Sequence, residues 1–329
     1  MHIVQTKFRY QHGLSLIELM ISLLLGALLL FGVFRIFDTN QQTARMANAF
    51  SRVQEGGRIS MEMIARDIRM ADHWGCTPGV SDIVNHLDTA DVDYDPDLDP
   101  TVTGNGGLSG IDNVGASVTV GTVAVKQNTD MVTFRGAFNS SDVEIVSPYM
   151  TTSSATIHIN AGIDIPVGEV LMISDCNAAD LFANTATNTT GGVINHNTGA
   201  QTGVPENNLK NLSQTYSSTA KLLIPFTKTY FIGRPAGTTT WSLYRQDNGG
   251  APQELVRDID DMQILYGEDT SGNRSVDRFV EADVAAPAID MDSVISIRIT
   301  ITTNSSNSAK GDVMERDYTV TGNIRNRSL

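Results

Sequence analysis

Glu18 occupies the position that most restricts the chemistry of this chain. It lies near the start of an otherwise uncharged apolar run, residues 14–34, which follows a short leader carrying Lys7 and Arg9. At about 1.5 Å of rise per helical residue, this run is long enough to cross the roughly 30 Å hydrocarbon core of a membrane. A carboxylate there costs on the order of 3 kcal/mol, so we expect Glu18 to have a functional role and a cationic partner.

The N-terminal segment has three interpretations. A secretory signal peptide has a shorter apolar core followed by a small-residue cleavage site, and neither feature is present. A plain signal anchor explains the length of the run and its basic flank but not Glu18. The third interpretation rests on residues 11–20, Gln-His-Gly-Leu-Ser-Leu-Ile-Glu-Leu-Met, which resemble the class III signal of type IV prepilins.

The prepilin resemblance implies a specific processing chemistry. A prepilin peptidase would cut between Gly13 and Leu14 on the cytoplasmic side and leave the apolar helix on the mature protein. Leu14, where typical pilins have Phe, would carry the new amine and be the site of its methylation. Glu18 would then meet the N-terminal amine of a neighbouring subunit, which sets register and recruitment during assembly. The alternative for Glu18 is a side chain that reaches the membrane interface from near the helix end.

The helix is predicted to continue beyond the membrane. Apolar residues recur at the three- and four-residue steps of one helical face: Met46, Phe50, Val53, Gly57, Met61, Ile64 and Ile68. This stripe predicts packing of the second half of the helix on the protein's own domain. The pair Gly56-Gly57 lies within it, and because each glycine costs up to about 1 kcal/mol relative to Ala, it predicts a bend or local break.

The rest of the chain is predicted to form β-strands. Residues 294–301 place Ile at every second position, which is the pattern of a half-buried strand. Similar strands are predicted at residues 116–126, 131–135, 156–165, 170–174, 221–232, 241–245, 262–266 and 316–324. One long N-terminal helix followed by antiparallel sheet makes this an α+β chain. Two polar segments, residues 88–110 and 184–219, lack apolar density and are predicted to be surface loops.

Two cysteines are present, Cys76 and Cys176. Both follow a span whose basic flank faces the cytoplasm, so both should lie where disulfides persist. A bond between them would close a loop of about 100 residues, worth up to roughly 4.7 kcal/mol on the chain-entropy model. The alternative, a metal site formed by His73 and Cys76, lacks further ligands at suitable spacing.

Two oxygen-rich motifs suggest calcium. The first alternates along an extended segment, at Asp91, Asp93, Asp95, Asp97 and Asp99, and is better explained as a solvated acidic loop. The second places oxygen ligands at every second position of one loop, at Asp269, Ser271, Asn273, Ser275 and Asp277. In that loop Arg274 replaces the glycine of a tight calcium loop.

Other function classes are disfavoured. Removal of the leader takes the formal charge from −14 to −16, and so acidic a surface argues against direct nucleic-acid binding. The chain has no Gly-x-Ser-x-Gly elbow, phosphate-binding loop or His-Glu-x-x-His motif, so we expect neither enzymatic activity nor a cofactor.

Six short motifs are distributed along the chain after the helix. They are residues 72–76 (Asp-His-Trp-Gly-Cys), 174–182 (Ser-Asp-Cys-Asn-Ala-Ala-Asp-Leu-Phe), 243–245 (Leu-Tyr-Arg), 253–256 (Gln-Glu-Leu-Val), 261–267 (Asp-Met-Gln-Ile-Leu-Tyr-Gly) and 323–327 (Asn-Ile-Arg-Asn-Arg). Together they resemble the PilW family of minor pilins. The resemblance implies a low-abundance subunit that joins other minor pilins and the major pilin, through the inner-membrane assembly machinery, to prime pilus assembly and then sits at the filament tip. A type II secretion pseudopilin and a tip adhesin are the alternatives.

The expected organisation has four parts. Residues 1–13 form a cytoplasmic leader, residues 14–34 the transmembrane segment, residues 35–72 the amphipathic continuation of the helix, and residues 73–329 a β-rich domain. That domain is expected in the periplasm before assembly and outside the cell afterwards.

Overall fold

A computed structural model describes residues 15–77, 80–102, 106–139, 142–199, 202–284, 287–304 and 315–327. One long helix, α1 (Leu16–Met70), precedes sixteen strands. The strands are β1 (Ile83–Asn85), β2 (Leu108–Ile111), β3 (Thr119–Val120), β4 (Val123–Val125), β5 (Met131–Asn139), β6 (Ile157–His158), β7 (Val170–Ser174), β8 (Ala179–Ala183), β9 (Val193–Ile194), β10 (Lys221–Pro235), β11 (Ser242–Asp247), β12 (Gln253–Arg257), β13 (Ile259–Glu268), β14 (Arg278–Val280), β15 (Val294–Asn304) and β16 (Glu315–Asn323). The predicted α+β fold, a long apolar helix followed by antiparallel sheets, is confirmed.

Two main sheets form the domain. The larger sheet has ten strands with the path β1-β8-β7-β10-β11-β12, and the long strand β10 also pairs with β4 and β5. The smaller sheet has the order β14-β13-β15-β16. Pairing in both is antiparallel except between β1 and β8. A two-stranded sheet joins β6 to β9.

The second half of α1 packs on β16, β15 and β12. The main core lies between this part of the helix and the two sheets. Ile64 and Ile68 come from the helix, Phe134 and Tyr230 from the larger sheet, and Ile299 from the smaller one. The alternation of residues 294–301 arises here, because the buried Ile297, Ile299 and Ile301 of β15 face the helix and the core.

Of the bend or local break predicted at Gly56-Gly57, the break is wrong, because α1 is continuous from Leu16 to Met70, and the bend stays a prediction. A Cβ on Gly57 would lie 2.3 Å from the Tyr318 ring, and one on Gly56 would lie 3.0 Å from Val256 Cγ1. The glycines therefore let strands β16 and β12 approach the helix closely, and the buried contact offsets their low helix propensity.

The interpretation of residues 88–110 and 184–219 as loops without core residues is also wrong. Strand β2 begins within the first segment at Leu108, which is 1% exposed. The second segment contains β9 and contributes Ile194, Leu212 and Tyr216 to a separate core cluster. Single apolar residues spaced along a polar sequence are sufficient to give these segments a place in the core, because the sheets supply the other residues of each core cluster.

Candidate functional site: the assembly helix and its junction with the domain

The first half of α1 has no cover. Every residue from 15 to 48 except Gly26 and Gln42 is exposed, and the first buried residue of the helix is Ala49. Within the described part of the chain, α1 is the one helix long and apolar enough to cross a membrane. Such a surface is stable in lipid or against other helices, and it is costly in water.

Glu18 lies in the first turn of this uncovered half and is exposed. Its backbone N–H donates to Ser15 O at 3.0 Å, and its carbonyl accepts from Ser22 Oγ at 2.7 Å. Among the described residues its carboxylate forms no ion pair. The predicted cleavage residues Gly13 and Leu14 lie outside the described residues.

Asp67 fixes the second half of α1 to the larger sheet. Its side chain is nearly buried and accepts from Lys228 Nζ at 2.8 Å and from Tyr230 Oη at 2.6 Å. Both partners lie on β10. Burial, together with the charge of Asp67, raises the pKa of Tyr230 above its usual range, so the hydroxyl remains a donor. Sequence reasoning missed this contact, although an acid placed between Ile64 and Ile68 on the buried face was a usable signal.

The end of α1 is locked by the C-terminal segment. Asp72 adopts a left-handed backbone conformation (φ 59°), and its carboxylate accepts from Trp74 Nε1 at 2.9 Å and from Arg327 Nε. Asn326 Nδ2 donates to Ala71 O at 2.9 Å, which satisfies a carbonyl that the ended helix leaves free.

Arg327 also donates through Nη1 to the carbonyls of Met291 and Val294, at the start of β15. Its side chain is 7% exposed. One guanidinium thus ties the helix end to the smaller sheet, and its planar set of donors suits this multiple contact.

The disulfide completes the junction. Cys76 and Cys176 are bonded, with their Cα atoms 4.6 Å apart, as the sequence predicted. The bond joins the segment after α1 to the turn between β7 and β8. Because the Cys76 sulfur is bonded to Cys176, the alternative of a metal site with His73 is ruled out.

The first oxygen-rich motif, which the sequence analysis interprets as a solvated acidic loop, is held by protein donors. Asp99 is 1% exposed and accepts from Asn85 Nδ2 and Tyr94 Oη, both at 2.6 Å, and from Thr101. Asp97 forms an ion pair with Arg135 at 3.3 Å. These contacts fold the acidic segment onto the larger sheet.

The second predicted calcium motif forms a turn around Asp269. Its carboxylate accepts from the backbone N–H groups of Gly272, Asn273 and Arg274 at 2.6–3.2 Å. Desolvation acts the other way, but these donors lower the pKa of Asp269. Arg274 adopts φ 63°, the left-handed conformation that glycine provides most easily. The sequence disfavours calcium at this turn, and that expectation stays a prediction.

Comparison with known families matched both ends of the chain. The model described as type IV pilus-assembly protein W matches residues 229–326, and the prokaryotic N-terminal methylation motif matches residues 8–34. The PilW match begins within β10, includes strands β11 to β16 and ends at Asn326 of the junction. Comparison with curated proteins and with solved structures gave no significant match. The predicted resemblance is confirmed at both ends of the chain: the N-terminus matches the prepilin-type methylation motif, and the C-terminal segment is similar to the PilW family.

Proposed function

We propose that this chain joins other minor pilins in the inner membrane, primes assembly of a type IV pilus and remains at the filament tip. Residues 1–13 are the leader that prepilin peptidase removes, residues 14–34 span the membrane, and residues 35–72 extend the helix. Residues 73–329 form the domain, which lies in the periplasm before assembly and outside the cell afterwards.

The observation that carries the proposal is the single continuous helix with two different environments. The 55 residues of α1 correspond to about 80 Å of helix, with an uncovered apolar half and a half fixed to the domain. A helix of this kind inserts its free half among other helices and carries the domain with it. The fixed half makes the domain move as a unit with the inserted part.

Glu18 provides the recognition step. Its carboxylate meets the α-amino group that cleavage exposes at Leu14 of an adjacent subunit, and each charge compensates the other away from water. Because the pair forms only when the axial offset between two helices is correct, it selects one register. The major pilin and the other minor pilins are the partners in this contact.

The test compares Glu18→Ala with Asp38→Ala, an exposed acid of the same helix outside the apolar run. Both variants should be processed to a chain that begins at Leu14, as read by N-terminal sequencing and intact mass. Incorporation into sheared filaments should fall for Glu18→Ala and stay normal for Asp38→Ala. Normal incorporation of Glu18→Ala would refute charge pairing, and a mature chain that retains Met1 would refute the prepilin assignment.

Priming and tip position need separate measurements. Deletion of the gene should abolish or sharply reduce filaments, whereas normal filaments that no longer attach to surfaces would indicate an adhesin instead. Labelled antibody against the domain should bind at filament ends. Uniform labelling along the filament shaft would contradict the tip position.

A further inference from the structure

We propose that Asp112, Glu281 and Asp283 bind a Ca²⁺ ion that links the two main sheets of the domain. One carboxylate oxygen from each of the three residues lies within 4.8 Å of the other two. This group is separate from both motifs that the sequence suggested for calcium, and the proposal does not depend on the role in pilus assembly.

The three residues come from different sheets. Asp112 follows β2 in the larger sheet, while Glu281 and Asp283 follow β14 in the smaller one. Asp112 is half-buried and the other two are exposed. Within the described ranges none of them forms an ion pair. Three carboxylates this close repel one another unless a proton or a cation compensates them.

A buried hydroxyl gives the second, independent observation. Tyr266 is 1% exposed, and its Oη has no hydrogen-bond partner among the described residues. Tyr266 pairs with Val280, the residue before Glu281. Its Oη lies against Gly110, where a Cβ would be only 1.9 Å away, and Gly110 is two residues from Asp112. The hydroxyl is therefore buried beside β2 near Asp112, and its own strand pairs with β14 at the residue before Glu281.

Unpartnered buried hydroxyl groups are uncommon because they lose their contacts with water. A water molecule in the coordination shell of the ion would hydrogen-bond the Tyr266 hydroxyl.

Negative charge also extends below the surface group. Asp130 is 2% exposed, and its two carboxylate oxygens accept from the backbone N–H groups of Asn113 at 3.0 Å and Ile264 at 2.7 Å. Asp112 lies close enough to hydrogen-bond it. A cation on Asp112 would offset the repulsion between these two carboxyl groups.

The ligand chemistry favours calcium. All three protein ligands are carboxylate oxygens, which suit hard cations. Ca–O distances of about 2.3–2.6 Å let two ligands of one ion lie about 5 Å apart, whereas Mg–O distances of about 2.0–2.1 Å limit the separation to about 4 Å. The exposed side of the group leaves room for the waters that complete a shell of six to eight oxygens. Affinity in the range of about 10⁻⁴ to 10⁻³ M is typical of extracellular calcium modules.

The test starts from the full chain in detergent after a chelator has removed bound cations. Thermal unfolding is measured as CaCl₂ is added, and titration calorimetry gives the affinity for calcium. At calcium about 100-fold above the dissociation constant, the melting temperature should rise by about 5 °C or more. MgCl₂ at the same ionic strength should give a smaller rise. The double variant Glu281→Gln, Asp283→Asn changes two exposed side chains in near-isosteric fashion, so it should fold normally and lose the calcium-dependent rise.

Two further variants sharpen the test. Asp269→Asn changes the other candidate loop and should keep the full calcium effect. Tyr266→Phe should leave the melting temperature in chelator unchanged or higher and weaken calcium binding several-fold. The proposal is overturned if calcium has no effect on the natural chain, if the double variant keeps the effect, or if Asp269→Asn removes it. Unchanged affinity in Tyr266→Phe would overturn the part assigned to the hydroxyl.

Discussion

Gly57→Ala tests how closely the domain packs on the helix. On helix propensity alone, this change should stabilise the chain by about 1 kcal/mol, because Gly57 lies inside α1. The structure indicates the opposite. The added Cβ would lie 2.3 Å from Cδ2 and 2.7 Å from Cγ of Tyr318. Since even the base of the ring is too close, rotation of the ring cannot remove the clash, and β16 must move away from the helix.

Overpacking costs about 1–3 kcal/mol, and a contact of 2.3 Å with the Tyr318 ring belongs to the upper part of that range, about 2–3 kcal/mol. After the gain in helix propensity is subtracted, we expect a net loss of about 1–2 kcal/mol in the free energy of unfolding. At roughly 2–4 °C per kcal/mol for a chain of this size, the melting temperature should fall by about 2–8 °C. Urea unfolding of the full chain in detergent gives the free energy directly, and a thermal melt checks it.

The matched control is the same change in a Tyr318→Ala background. That single variant should itself be destabilised through lost ring burial. Once the ring is absent, Gly57→Ala should stabilise the chain by up to about 1 kcal/mol, so the sign of its effect reverses. If Gly57→Ala stabilises the chain in both backgrounds, the close approach of the ring is not real.

Three further predictions concern stability. Asp67→Ala leaves Tyr230 Oη buried without an acceptor and should lower the free energy of unfolding by about 3 kcal/mol. Glu62→Ala on the exposed face should leave that free energy almost unchanged, and equal losses in the two variants would contradict the buried contact. Cys176→Ser should lower the free energy of unfolding by about 2–4 kcal/mol, and a reductant should destabilise the natural chain equally but leave the variant unaffected. Burial and the neighbouring Asp112 raise the pKa of Asp130 to about 7 in the folded chain, against about 3.9 in the unfolded chain. Between these values the folded chain keeps a proton that the unfolded chain has lost, so the contribution of Asp130 to the free energy of unfolding is complete below about pH 4 and is lost as the pH rises towards 7. Calcium-free unfolding curves between about pH 4 and 8 should show the decline.

Sequence periodicity predicted the elements whose burial repeats locally. The bounds predicted for β7, residues 170–174, coincide with those observed, and β15 begins at the predicted Val294. The helix and the disulfide were also accessible from the sequence, since both follow from residue type and position. The predicted strand at residues 116–126 is instead a pair of short strands separated by a turn at Gly121 (φ 55°).

The features that the sequence did not predict depend on distant partners. The residue types at Gly56-Gly57 favour a break, and the close approach of β12 and β16 makes an unbroken helix favourable. Tyr216 lies in a polar segment, yet it is 1% exposed because its hydroxyl donates to Asp180 at 2.5 Å beneath β8. His86 Nε2 donates to the same carboxylate at 2.6 Å. No local pattern signals such pairs, since the residues are far apart along the chain.

The two halves of α1 lie in different environments, so the effects of substitutions on stability can be separated from their effects on assembly. Gly57, Asp67 and Asp72 lie on or just after the half that packs on the domain, and changes there alter the free energy of unfolding. Glu18 touches only its own helix among the described residues, so Glu18→Ala should leave that free energy within about 0.5 kcal/mol of the natural value. If Glu18→Ala assembles poorly although its domain unfolds normally, the recognition between subunits lies in the apolar half of the helix. If Glu18→Ala instead lowered the melting temperature as much as Asp67→Ala does, its assembly defect would need no charge pairing to explain it.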